Sequence, residues 1–237
     1  MPMPSALADS TSEKAAAGCT SPKFHRDLAN GLHAMAQPLT ILRAAIEVLA
    51  MPQSAGIDRQ RYLEISAGAV ERTCRVFAQV QDLLTASMIE AESAPFDLWT
   101  LIAPVIEDHR RMLQTSGVAL AAAKTEAWML IVGDAARTEQ AIALVLQLAG
   151  ELASKGDVIE VSASASSGFV QLRIAHNRRR GKLLNSTARL NLALAEANIV
   201  TQRGRYEFAE DPFRVSLALP VAELGPWRSQ TGELSSA

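Results

Sequence analysis

From residue 24 to about residue 51, apolar residues recur at Leu28, Leu32, Met35, Leu39, Leu42, Ile46 and Leu49. The steps alternate four and three, which draws a heptad seam along one helix face. Pro52 to Gly56, with Pro, Ser and Gly, predicts a turn. A second helix is predicted from Asp58, placed as its N-cap, to about Glu92. Its stripe of Leu63, Ala67, Val70, Cys74, Phe77, Leu84 and Met88 keeps heptad spacing, interrupted at Gln81. A further stripe of Tyr62, Ile65, Ala69, Val76, Val80 and Leu83 widens that face. Two antiparallel helices alone cannot cover faces this wide. Pairing two such hairpins into a four-helix bundle covers them, so a homodimer is expected. The plainer option, a hairpin packed on the rest of its own chain, stays open.

Past Ser93-Ala94-Pro95 the pattern changes. A helix is predicted over Leu98 to Thr115, then short β-like runs at Val118 to Ala122 and Trp128 to Val132. The next helix, about Ala135 to Ser154, is apolar nearly all round. Period-two alternation follows at Val158 to Ala163 and Phe169 to Ala175, and again at Phe213 to Leu219. Between them a helix from about Ser186 to Gln202 stops before Gly204. Strands mixed with helices predict an α+β sandwich with a mixed sheet covered by helices. The organisation expected is a disordered leader at 1–22, a helical hairpin at 23–93, the sandwich at 96–221 and a flexible tail at 222–237.

Composition adds bounds. The 237 residues are 49% hydrophobic with a formal net charge of -2, enough apolar matter for buried cores and no general attraction to nucleic acid or anionic membrane. Cys19 and Cys74 fit neither a disulfide framework nor a metal spacing, and Cys74 reads as a small buried apolar residue. The longest apolar run, around Ala127 to Val132, falls far short of the ~20 residues that span a bilayer. The Ser/Ala/Thr/Pro-rich start lacks the pattern of a signal peptide, so a cytoplasmic location is the default expectation.

Candidate chemistry concentrates in His33-Ala34-Met35-Ala36-Gln37-Pro38-Leu39. His33 follows Leu32 by one position, about 100° around the helix, on the shoulder of the seam. A neutral imidazole exposed on a rigid backbone offers a free nitrogen able to attack phosphorus. Pro38 removes one backbone hydrogen bond to Ala34 and costs ~3 kcal/mol within a helix. An ordinary surface histidine beside a tolerated proline would look the same.

The segment Leu32 to Leu39 resembles the phospho-acceptor box of sensor histidine kinases. Arg61-Tyr62-Leu63-Glu64-Ile65 resembles the opening of that family's second helix, and Asp82-Leu83-Leu84-Thr85-Ala86-Ser87 with Ile89-Glu90-Ala91 resembles its close. Pro95-Phe96-Asp97-Leu98 is similar to the linker into the family's ATP-binding domain. The resemblance implies that His33 is the phosphorylation site. It makes Gln37 the polar position that orients water for phosphatase activity, although a solvated helix residue fits equally. One position departs: the family's acidic residue directly after the His is Ala34 here. That removes the help of a general base, a contribution of about 10²–10⁴-fold, which attack on ATP needs more than attack on an activated acyl phosphate.

The nucleotide boxes depart further. Asp134-Ala135-Ala136-Arg137 and Gln140 resemble the start of the first box, but the two positions where the family has Asn are Leu144 and Leu148. The Asp-and-glycine box reads His176-Asn177-Arg178-Arg179-Arg180-Gly181, and Arg189-Leu190-Asn191-Leu192 stands where a glycine-rich loop is expected. The basic run Arg178 to Arg180 with Lys182 reads as a solvated turn, or else as a contact for an acidic receiver surface.

The expectation is therefore a dimeric histidine phosphotransferase on a histidine-kinase scaffold. His33, Gln37 and Pro38 are its site residues, and it has no cofactor or metal site of its own. Its partner would be a response-regulator receiver domain that supplies the Mg²⁺; no membrane and no nucleic acid take part. Two other readings stand beside it: a divergent kinase that still uses ATP, and a non-catalytic pseudokinase that scaffolds or inhibits.

Overall fold

The computed structural model describes residues 22–51, 58–123, 129–176 and 184–222. The expected leader, the turn at 52–56, most of the tail and the basic run at 178–182 lie outside the described residues. The first described elements are helices α1 (Pro22–Ala50) and α2 (Arg59–Met88). Asp58 caps α2 as expected, its carboxylate accepting from Arg61 N at 3.1 Å. Helix α1 continues through Pro38 as one element.

Strand β1 (Ala94–Asp97) leads into α3 (Leu98–Thr115), β2 (Ala119–Ala123), β3 (Leu130–Gly133) and α4 (Ala135–Leu152). Then come β4 (Val158–Ser166), β5 (Phe169–His176), α5 (Ser186–Val200), β6 (Arg205–Ala209) and β7 (Arg214–Pro220). The main sheet has the order β2-β4-β5-β7-β6. Its β2–β4 pair is parallel and the others are antiparallel, so the sheet is mixed. Strands β1 and β3 form a separate antiparallel pair, and an isolated bridge joins Ile131 of β3 to Val221, just past β7.

Alternation decides the sheet's two faces. Ile159, Val161, Val170, Leu172, Ile174, Val215, Leu217 and Leu219 are buried, while Glu160, Ser162, Gln171, Arg173 and Arg214 are exposed. Ile102 and Ile106 of α3, Ile142 and Leu146 of α4, and Ile199 of α5 join the buried residues in one core. The α+β sandwich behind a helical hairpin thus stands as expected.

Strands β1 and β6 were not expected. Ala94–Asp97 carries a proline and reads as linker, and Arg205–Ala209 alternates too briefly among charges to stand out. Cys74 requires a correction: it is exposed, because it lies on the stripe of α2 with Leu63, Val70 and Phe77, which is exposed among the described residues. The buried stripe of α2 is the other one, with Ala69, Val76, Val80 and Leu83.

Candidate phosphoryl-acceptor site

Helix α1 has three faces: one buried, one apolar and exposed, one polar and exposed. Gly31, Ala34, Pro38 and Ala45 are its buried residues. Small side chains bring α1 close to α2 and α5: a Cβ on Gly31 would lie 2.6 Å from Val80 Cγ2 and 3.4 Å from Leu190 Cδ1. A second face carries Leu32, Leu39 and Ile46, all exposed at 45–58%. At ~100° per residue, His33 points roughly 120° away from each of these two faces. It lies on an open polar stripe with Arg26, Gln37 and Thr40, all exposed.

The structure therefore brings His33 and Gln37 onto one accessible stripe one helical turn apart. Pro38 does not join them; it is buried on the inner face. Ala34, at the position where an acidic residue was expected, is 2% exposed in a cluster with Val76, Val80, Leu83, Ala86, Leu190 and Leu194. A carboxylate there would lose its hydration among aliphatic carbons, so the packing accounts for alanine at this position.

The hairpin meets the sandwich along α5, which is buried nearly all round. Leu190 and Leu194 turn into the hairpin cluster, while Leu192, Ala195 and Ile199 belong to the sandwich core. Within this joint, Gln79 Nε2 donates to Asn191 Oδ1 at 2.7 Å, with both residues buried. Gln140 Nε2 donates to Asp82 Oδ2 at 2.7 Å, and Gln140 Oε1 accepts from Asn198 Nδ2 at 2.7 Å. Arg137 reaches Ile89 O at 2.9 Å, Ala86 O at 3.4 Å and Thr201 Oγ1 at 3.1 Å. Lys23 pairs with Glu196 at 2.6 Å, and burial beside this pair raises the Asp27 carboxyl above its usual range although Lys23 opposes the shift. These polar contacts, which join residues as distant in sequence as Lys23 and Glu196, were not visible in the sequence.

Helix α4 starts at its N-cap Asp134, as the first box predicts. Leu144 is partly buried against both the hairpin cluster and the sandwich core, and Leu148 is 1% exposed within the core. A leucine side chain has no oxygen to offer a magnesium ion. At the end of β5 the His176 ring is buried and stacks on Phe213 with centroids 5.2 Å apart. Among the described residues no group of three or more His, Cys, Asp or Glu could hold a metal ion, and no helix is long and apolar enough to cross a membrane.

No family model and no curated protein matches this chain. Solved structures do. The chain is similar to the histidine kinase AdeS of Acinetobacter baumannii, with a TM-score of 0.61 at 16% identity over 80% of this chain and 98% of that one. It is similar to the histidine kinase ThkA, crystallised in complex with the response regulator TrrA, with a TM-score of 0.61 at 16% identity over 81% of this chain and 60% of ThkA. Full-length ShkA in complex with AMPPNP gives 0.54 at 17% identity, covering 83% of this chain and 45% of ShkA. The fold is that of the sensor histidine kinases, a helical hairpin followed by the ATP-binding type of sandwich.

Proposed function

We propose that this chain, built on the sensor-histidine-kinase fold, carries phosphoryl groups on His33 to or from response-regulator aspartates and performs no ATP chemistry of its own. The observation that carries this reading is the contrast between an open His33 stripe and a sandwich whose two expected magnesium-binding positions are packed leucines. In the transfer step a ring nitrogen of His33 attacks the phosphorus of a receiver's aspartyl phosphate. The N–P bond forms as the acyl P–O bond breaks, and the aspartate leaves as its carboxylate, stabilised by the Mg²⁺ that the receiver holds. The reverse step returns the group. An acyl phosphate is already activated, so the reaction proceeds without the general base missing at Ala34. The complex of ThkA with TrrA supports a receiver as the partner for this fold.

The assembly is proposed to be a homodimer. Leu32, Leu39 and Ile46 of α1 and Leu63, Val70 and Phe77 of α2 leave a heptad-spaced apolar face bare, and a second hairpin would cover it. Incubation with a phosphorylated receiver is expected to label the wild-type chain and not His33→Ala; equal labelling of both would refute the assignment.

Buried Ala34 favours a second reading, a non-catalytic scaffold that binds a kinase or regulator. A scaffold tolerates His33→Gln, so loss of signalling in that variant selects the phosphotransfer reading.

A further inference from the structure

We infer that the sandwich is a positioning clamp for the helix that carries His33, its former nucleotide side rebuilt to grip the hairpin. This rests on the reading of His33 as the phosphoryl carrier and adds to it a role for the second domain. Helix α5 is wedged between the two parts of the molecule, with Leu190 and Leu194 fully buried against the hairpin. Its contact on α1 runs from Lys23, paired with Glu196, to Gly31 and Ala34, the residues that bracket Leu32 and His33. The backbone under His33 is therefore pinned from the inner side while the imidazole stays open.

Several of the residues that make the grip lie in the stretches that resemble the nucleotide boxes or stand in their place. Gln140, in the first box, spans from Asp82 of α2 to Asn198 of α5. Arg137, in the same box, donates to the carbonyls of Ala86 and Ile89, at and just beyond the C-terminal end of α2. That arrangement satisfies acceptors which a helix end leaves without intrahelical partners. Leu144 packs into both apolar clusters and ties them together. Asn191, from the stretch where a glycine-rich loop was expected, makes the buried bond to Gln79. A domain held to the hairpin by these contacts acts on His33 from a fixed position. Gln79, Asn191 and Gln140 are thus positioning residues, acting on His33 through α1 and α2.

The test uses the full chain with Gln79→Asn, Asn191→Gln, the double swap, and Gln140→Ala. Each single change at 79 or 191 mismatches the lengths of the two side chains, and the double swap restores their sum. Amide exchange over residues 28–38 is expected to rise at least about ten-fold in the single variants and Gln140→Ala while β4 and β5 keep their protection, and to return toward wild type in the double swap. Transfer from a phosphorylated receiver is expected to lose about ten-fold in maximal rate with little change in half-saturating receiver concentration, and to recover in the same swap. Unaltered exchange over 28–38 in all variants would overturn the clamp, as would a double swap as impaired as its parents. Should a single variant lose protection throughout the chain, the double swap and Gln140→Ala decide between clamp and no clamp by the same criteria. A wild type that exchanges as described and is never labelled by a receiver would refute the transfer reading and leave the grip standing.

Discussion

The hairpin has two apolar faces, and they are built differently. The face under α5 uses Gly31, Ala34 and Ala86, small residues that let three helices approach closely. The opposite face uses Leu32, Leu39, Leu63 and Phe77, which stand out into solvent at 45–58% exposure. Small residues suit a partner that is always present and can be fitted tightly, as α5 of the same chain is. Large heptad-spaced residues suit a partner with the same spacing, such as a second hairpin. One helix thus carries an internal joint, an external seam and, between them, the polar stripe of His33.

The largest expected difference between the faces is in folding stability. Leu194→Ala, at a fully buried site, is expected to cost about 2–5 kcal/mol in denaturant unfolding. Leu39→Ala on the exposed seam is expected to cost the isolated chain less than about 0.5 kcal/mol. Comparable losses would abolish the distinction. Association reverses the order: Leu32→Glu with Phe77→Glu is expected to weaken self-association at least about 100-fold, near 3 kcal/mol, in sedimentation equilibrium, with an unchanged circular dichroism spectrum. A wild type that sediments as a monomer at all concentrations would refute the seam.

Leu144→Asn sharpens the comparison at the joint. It puts an amide between two apolar clusters and is expected to destabilise by about 1–3 kcal/mol without creating Mg-ATP binding in a calorimetric titration. Recovered binding would show that the sandwich had kept a nucleotide site.

The smallest effect lies in the sandwich, far from both faces. Asp97 caps α3, and Asp97→Ala is expected to cost about 1 kcal/mol. Burial pushes the Asp97 carboxyl up, but hydrogen bonds from Thr100 and from the Met129 backbone outweigh it and hold the group below the usual carboxylate range. Its contribution is therefore present above the unfolded value of about 3.9 and is lost as pH falls through the lower folded value. Unfolding curves of wild type and variant should stay fully separated above about pH 4 and begin to converge as pH falls below it.

Much of this architecture was legible from hydrophobic spacing. Helix α3 begins and ends where its pattern predicts, at Leu98 and Thr115. The hairpin and the alternating strands β4, β5 and β7 follow from periods of three-and-four and of two. Strand β1 was not legible, since its four residues with Pro95 become a strand only by pairing with β3. Helix α5 was found as a helix, and its apolarity on all sides was the available sign that it has neighbours on two sides. What those neighbours are depends on contacts such as Gln79 with Asn191, which no local pattern encodes. His33 and Gln37 were legible through the resemblance of their segment, and the structure places both on the exposed stripe. Pro38 shares their segment but packs inward. The absent acid at Ala34 is legible as a departure, but its physical reason, a cluster shared with Leu190 and Leu194 of α5, is written in no local pattern.

The most direct measurement offers the intact chain two phosphoryl donors in parallel, Mg-ATP alone and a phosphorylated receiver, and follows acid-labile phosphohistidine by intact mass. A carrier without ATP chemistry gains one phosphoryl group per chain from the receiver, located at His33, and none from ATP. Phosphohistidine formed from Mg-ATP would contradict that assignment.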